Sequence, residues 1–334
     1  MEESIIIPPL SSKDFESDQE IRWCPGCGDA AILKQVQNLL PSIGVPKEKI
    51  VFISGIGCSS RFPYYMNTYG MHTIHGRATA VATGLKLTRP DLNVWIVTGD
   101  GDALSIGGNH LIHLLRRDLN VNILLFNNQV YGLTKGQFSP TSEQHQITKS
   151  SPFGNTDRPF NPIALSLGAG ASFIGRTIDR EAKHLQEVLR SGQEHVGASF
   201  IEIYQNCHIF NDGAFEIFTN RTTRKSSVLF VEHDKPLIFG ENNQLGIKLD
   251  GHQPVIVHIN EQSSLNDLWI HDEKDKIKAN ILANFFENED YPRPFGVLYK
   301  NSLQQEKSSI VGQKSIDSSV YNQLIAGKEN WSVL

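Results

Sequence analysis

Short apolar runs, each closed by a polar or glycine-rich break, set the rhythm of the first two-thirds of the chain. Positions 50–53, 94–98, 121–126, 171–175 and 199–204 have strand length and read as buried strands. Between them the apolar spacing turns helical over 30–40, 78–87, 106–116, 162–167 and 180–190, with Asp179 as the N-cap candidate of the last. Strand alternating with helix predicts an α/β fold, a mostly parallel sheet flanked by helices. Positions 1–20 carry Pro8-Pro9 and an acidic stretch and read as an N-terminal arm. Positions 138–161 show no period, and a stretch that long in a compact domain is usually functional. From about 216 the pattern becomes short strands and turns, with Asp250-Gly251 as a hairpin candidate. A short helix over 279–290, a strand over 293–300 and one helix in the tail complete the reading. The expected organisation is an arm (1–20), a main domain (21–215) and a small C-terminal extension (216–334).

The polar residues collect where the strands end. The strand near 94 runs into Gly99-Asp100-Gly101-Asp102, and the one near 121 into Asn127-Asn128-Gln129-Val130. Ligands of parallel α/β sheets sit outside the C-terminal strand ends. Glycines let backbone close on a phosphate, and a following helix offers it free N–H groups. Carboxylate, amide and carbonyl oxygens suit Mg²⁺, which commonly shares its shell with a diphosphate. Gly-Asp-Gly alone is also an ordinary turn. The Asn pair behind a second buried strand, with 27 residues between Asp100 and Asn128, weighs toward the metal site and resembles the thiamine-diphosphate signature.

Charge and composition narrow the class. The chain has 334 residues, net charge -5 and no concentrated basic run, which excludes an ordinary nucleic-acid binder. No apolar run nears the roughly 18 residues needed to span a bilayer, so no membrane span is expected. The acidic N-terminus does not read as a signal peptide, and a cytoplasmic protein is the expectation. In that compartment the four cysteines are expected as thiols or ligands rather than disulfides. Cys24 and Cys27 precede a helix; Cys58 and Cys207 follow strands, so all four can share one edge of the sheet. The spacing is C-x2-C-x30-C-x148-C. Structural zinc modules usually bring two short Cys pairs, so the chemistry favours an iron–sulfur cluster over zinc. His110 and His113 share a helix face and read as surface or interface residues, since no carboxylate completes a metal set.

Six motifs in this order, WCPGCG, SGIGCS, HTIHGRA, GDGDALSIGGNH, NNQVYGLTKGQFSPT and QNCH, resemble the β subunit of 2-oxoacid:ferredoxin oxidoreductases. The two-chain 2-oxoglutarate or broad 2-oxoacid type is the nearest, and the likeness covers about residues 21–215. The resemblance implies a thiamine-diphosphate-binding fold. It implies that Cys24, Cys27, Cys58 and Cys207 hold one [4Fe–4S] cluster, and that Asp100, Asn128 and the Val130 carbonyl hold Mg²⁺. It places Ile56, Gly57, Cys58, Ser59, His75, Gly76, Gly99, Gly101, Asp102, Tyr131, Gly132, Leu133 and Thr134 around the cofactor. His75 and Arg61 are the implied catalytic residues. Related archaeal enzymes often carry Lys where Arg61 stands; Arg keeps the charge and adds a bidentate grip on a substrate carboxylate. The implied activity is oxidative decarboxylation of a 2-oxoacid, 2-oxoglutarate foremost, with coenzyme A as acyl acceptor and ferredoxin as electron acceptor. The implied partner is an α subunit carrying the γ domain and the glutamate that activates the cofactor. The expected assembly is a heterodimer or dimer of heterodimers, inactive as the isolated β chain. The rival reading is a non-oxidative thiamine-diphosphate decarboxylase or synthase subunit with a structural Cys₄ zinc site.

Overall fold

The computed structural model describes residues 10–259 and 265–301. The described residues belong to one compact unit. In chain order its elements begin with α1 (Gly28–Leu39), β1 (Ile50–Ser54), β2 (Tyr69–His72), α2 (Ala78–Thr88) and β3 (Asn93–Gly99). Then follow α3 (Asp100–Leu104), α4 (Gly108–Arg117), β4 (Val121–Asn127), α5 (Pro162–Gly168), β5 (Phe173–Ile178), α6 (Ala182–Glu194) and β6 (Ala198–Tyr204). The later elements are α7 (Glu216–Thr219), α8 (Arg224–Ser227), β7 (Val228–Val231), β8 (Ile238–Phe239), β9 (Leu245–Asp250), β10 (Gln253–His258), α9 (Lys276–Asn284) and β11 (Arg293–Lys300).

The main sheet runs β2-β1-β3-β4-β6-β5-β11-β7. Its first six strands are parallel; β11 lies antiparallel to β5 and parallel to β7. Successive side chains on a strand point to opposite faces, and this sheet is covered on both. Val51, Ile53, Ile96, Ile123 and Leu125 pack with Leu111, Leu114 and Leu115 of α4. Phe52, Trp95, Leu124 and Phe126 pack with Ile32 and Val36 of α1 and Leu185 and Leu189 of α6. Burial on both faces explains why these strands read as unbroken apolar runs. The ends carrying Ser54, Gly99, Asn127 and Tyr204 therefore lie together at one edge, where the loops that follow them meet.

The predicted strands near 50, 94, 121 and 199 form within a residue or two of expectation. The strand expected at 171–175 starts at Phe173 instead. Ser172 is held outside it, its hydroxyl bonded to Asp118 and, at 2.7 Å, to His195. The helix expected over 106–116 begins at Gly108, and a separate five-residue helix, α3, holds the Gly-Asp-Gly segment. Between them Gly107 lies so close to the Asp102 carbonyl that a Cβ would stand 2.4 Å from it. Asp179 is not the N-cap of α6. That position is Glu181, and the Asp179 carboxylate instead accepts the Asn206 N–H at 2.9 Å. The Asp250-Gly251 hairpin forms, with Gly251 at φ 60° and Gln253 registered to Asp250.

The expected division at 215 falls inside the sheet, because β7 and β11 complete it. In the arm, Phe15 is fully buried and anchors residues 10–20 on the domain. Residues 1–9 and the expected tail helix lie outside the described residues. Among the described residues no helix is long and apolar enough to cross a membrane.

Two histidines give the fold a pH dependence. Burial holds His184 and His195 at about 4, below the ordinary imidazole value of 6.5. The unfolded chain therefore takes up these protons first as pH falls. Stability conferred by the neutral rings is complete above about pH 6.5 and is lost on the way down to about 4. Thermal melts across that window should show a falling Tm, and the slope should flatten in a His184→Gln/His195→Gln variant.

Candidate functional site

Asp100 opens α3 directly at the end of β3 and is buried. Ser139 and Thr141, from the aperiodic stretch after β4, both donate their hydroxyls to its Oδ2, Thr141 at 2.6 Å. The backbone N–H groups of Gly101 and Asn128 face the same carboxylate. Burial pushes the Asp100 carboxyl up, and these donors pull it back toward the charged form. Asn128, the first residue after β4, has its own Oδ1 at 3.2 Å from the Val130 N–H. Asp100, Asn128 and Val130 are thus brought to one place. Their carboxylate, amide and carbonyl oxygens are the donor set of a hard cation such as Mg²⁺. Gly101 lies under the Tyr131 ring, where a Cβ would meet Cε1 at 2.1 Å. The Tyr131 hydroxyl donates to the Gly101 carbonyl at 3.3 Å.

Asp102 has a different position from the one its motif suggests. Its Oδ1 accepts the Gly76 N–H at 2.8 Å and the Ile56 N–H at 3.2 Å, and its Oδ2 accepts the Thr98 hydroxyl at 2.8 Å. One buried carboxylate therefore ties the loop after β1, the loop after β2 and the end of β3. Its oxygens are spent on the protein rather than turned toward a phosphate. His75 stands exposed beside it, Nδ1 at 3.7 Å from Oδ1. Gly76 sits at φ 67°, where a Cβ would lie 2.5 Å from Gly107. Gly57 is at φ 119°, and Ser59 lies at 3.4 Å from the Cβ position of Gly99. Small residues let these loops crowd against one another.

All four cysteines are free thiols at the same edge. Cys24 and Cys27 precede α1, with the Cys27 N–H bonded to the Cys24 carbonyl at 3.0 Å. Trp23 Nε1 donates to the Cys58 carbonyl at 2.7 Å, which joins that turn to the Cys58 loop. A Cβ on Gly132 would stand 3.5 Å from Cys58 Sγ and 3.7 Å from Cys207 Sγ. Leu133 and Thr134 continue that turn on the exposed surface. Among the described residues no three His, Cys, Asp or Glu side chains are grouped to hold one metal ion. Cys58 and Cys207 share the Gly132 turn, and Cys24 and Cys27 lie within electrostatic reach of Cys58; thiols so spread are too far apart for one ion, but their chemistry suits a cluster whose irons each take one thiolate. Arg61 is half-buried, its Nε bonded to the Tyr65 hydroxyl at 3.1 Å, and its charge is felt at Cys58.

Two residues at this edge were not singled out in the sequence. Asp29 is fully buried at the start of α1, with only the Cys27 thiol set to donate to its carboxylate. Burial pushes its carboxyl up to about 7. Burial, then the Asp29 charge, pushes the Cys58 thiol up to about 12 and raises Cys27 as well. Gln205 is the other. Its Oε1 accepts from Asn128 Nδ2 at 2.9 Å, and its Nε2 donates to Cys27 Sγ at 3.5 Å. Position alone could have flagged it, since it follows β6 and stands two residues before Cys207.

Fold and site together define a thiamine-diphosphate-binding enzyme domain. Residues 55–203 match the family described as "Thiamine pyrophosphate enzyme, C-terminal TPP binding domain". The chain is 59% identical over 243 residues to the 2-oxoglutarate oxidoreductase subunit KorB of Mycobacterium tuberculosis, covering 73% of this chain and 65% of that one. It is 40% identical over 185 residues to the 2-oxoglutarate synthase subunit KorB of Archaeoglobus fulgidus, covering 55% and 69%. A solved structure, 2-oxoglutarate:ferredoxin oxidoreductase from Magnetococcus marinus with 2-oxoglutarate, coenzyme A and succinyl-CoA bound, superposes with TM-score 0.72 at 31% identity. That likeness covers 98% of this chain and 94% of the other. The chain belongs to the β-subunit family of the 2-oxoacid:ferredoxin oxidoreductases. Its matches span about 60 to 66% of the length of the first three curated relatives.

Proposed function

We propose that this chain is the β subunit of an enzyme that oxidatively decarboxylates a 2-oxoacid, 2-oxoglutarate foremost, with coenzyme A and ferredoxin as co-substrates. The observation that carries the reading is that four cysteines from three distant segments lie within electrostatic reach of one another, with Cys58 and Cys207 Sγ at the turn that also flanks Gly101. Thiamine diphosphate supplies the carbanion chemistry that releases CO₂, and a [4Fe–4S] cluster supplies one-electron acceptance. Asp100, Asn128 and the Val130 carbonyl hold Mg²⁺, and Cys24, Cys27, Cys58 and Cys207 hold the cluster. Gly99, Gly101 and the 131–134 turn are the backbone that would take the diphosphate beside the metal. Asp102 fixes the loops bearing Ile56 and Gly76, so the thiamine pocket is formed before the cofactor enters. Arg61, tethered through Nε, keeps its terminal nitrogens for a substrate carboxylate. The α subunit completes the site, and the isolated chain is inactive.

Anaerobic purification, metal analysis and EPR after dithionite test this. About four irons per chain and a reduced-cluster signal are expected. One zinc and no iron would overturn the ferredoxin-coupled reading in favour of a non-oxidative subunit with a structural metal.

A further inference from the structure

Gln205 is buried, 1% exposed, between the two centres. Its amide spans them in one step. The oxygen takes a hydrogen bond from Asn128, whose own oxygen accepts the Val130 N–H at 3.2 Å, beside the proposed metal site. The nitrogen gives one to Cys27 Sγ at 3.5 Å and one to the Asn206 carbonyl at 2.5 Å. Reversing the amide would set two N–H groups against each other at Asn128, so the orientation is fixed by its neighbours.

We propose that Gln205 is a positioning residue that couples the metal–diphosphate site to the cluster. This rests on the reading above that Asn128 holds Mg²⁺ and Cys27 holds iron. An N–H donor on a ligating sulfur draws charge from it and raises the cluster's reduction potential. The same amide, held at the sulfur end, fixes the rotamer of Asn128 and presents its oxygen to the cation. Coupling of this kind is reciprocal: what one site feels from the other must be returned. The place of the residue follows from the fold, since β6 neighbours β4 and the two strands end side by side.

The test uses the full chain assembled with its partner subunit. Gln205→Met keeps length and removes all three hydrogen bonds, those to Asn128, Cys27 and the Asn206 carbonyl. Its cluster midpoint potential, from an EPR-monitored redox titration, is expected to fall. Mn²⁺ affinity in the presence of thiamine diphosphate is expected to weaken about tenfold. Gln205→Glu keeps the acceptor toward Asn128 and loses the donor, so its potential should fall while Mn²⁺ affinity stays near the parent's. A Gln205→Met protein with iron content, potential and Mn²⁺ affinity equal to the parent's would overturn the coupling. A parent protein lacking iron or Mn²⁺ binding would instead overturn the underlying assignment.

Discussion

Cys207→Ala is expected to empty the cluster site: below one iron per chain, against about four in the parent. Turnover with any low-potential acceptor should fall to background. The thiol follows β6 at a tight turn, closed by the Asn211 N–H on the Cys207 carbonyl at 3.0 Å. The same Asn211 donates its side-chain amide to the Asn128 carbonyl at 3.0 Å, so the turn is fixed from both sides. No sulfur besides the four cysteines and three methionines exists in the chain, and no cysteine is spare to replace it. The fold should survive, because Cys207 is only partly buried and belongs to none of the hydrophobic core clusters. Far-UV circular dichroism matching the parent, with the iron gone, is the expected pair of results. Full iron retention would show that Cys207 is not a ligand.

Asp102→Ala should do comparable damage on the other side of the site. The N–H groups of Ile56 and Gly76 lose their acceptor, and the Thr98 hydroxyl keeps only a long bond to the Gly99 carbonyl at 3.4 Å. Hydrogen bonds to a charged group contribute about 1.5 to 3 kcal/mol each, and a buried orphan donor costs about 1 to 3. A stability loss of about 3 to 5 kcal/mol is expected, with thiamine diphosphate affinity down at least a hundredfold. Asp102→Asn keeps one oxygen and should fall between the two. Calorimetric titration of the assembled enzyme measures the affinity, and a value within threefold of the parent's would refute the loop-tying role. A cluster signal that persists in Asp102→Ala would separate this effect from that of the cysteines.

Much of this arrangement was legible in the sequence because burial writes itself into composition. β1, β3, β4 and β6 are enclosed on both faces, so each appears as an apolar run with its polar end marking the working edge. What stayed hidden depends on contacts between distant segments. Ser172 falls within the apolar run read as a strand, and only the fold shows Asp118 and His195 holding it outside. Asp102 looks like a phosphate residue beside two glycines; only the fold shows three loops converging on it. Ser139 and Thr141 lay in a stretch marked as functional, but no period could point them at Asp100. The buried pair Arg176–Glu202, 2.7 Å apart between β5 and β6, was invisible for the same reason, although Glu202 Oε1 also holds Asn127 beside the site. β7 is only four residues long, and β11, though eight, carries Pro294 and Gly296 within its run, so neither announced which sheet it would join.

The place of β11 has a consequence for how the molecule is made. It sits between β5 and β7, with Gly296 opposite Arg176, about 120 residues apart along the chain. A ribosome releases β5 long before it releases the strand that will cover it. At roughly 5 to 20 residues per second, that interval is several seconds to tens of seconds. Through it the nascent domain presents an open row of N–H and C=O groups, the kind of edge that recruits foreign strands. The stretch that closes the sheet thus acts as a late seal on synthesis, and expression of residues 21–215 alone would leave that seam permanently open.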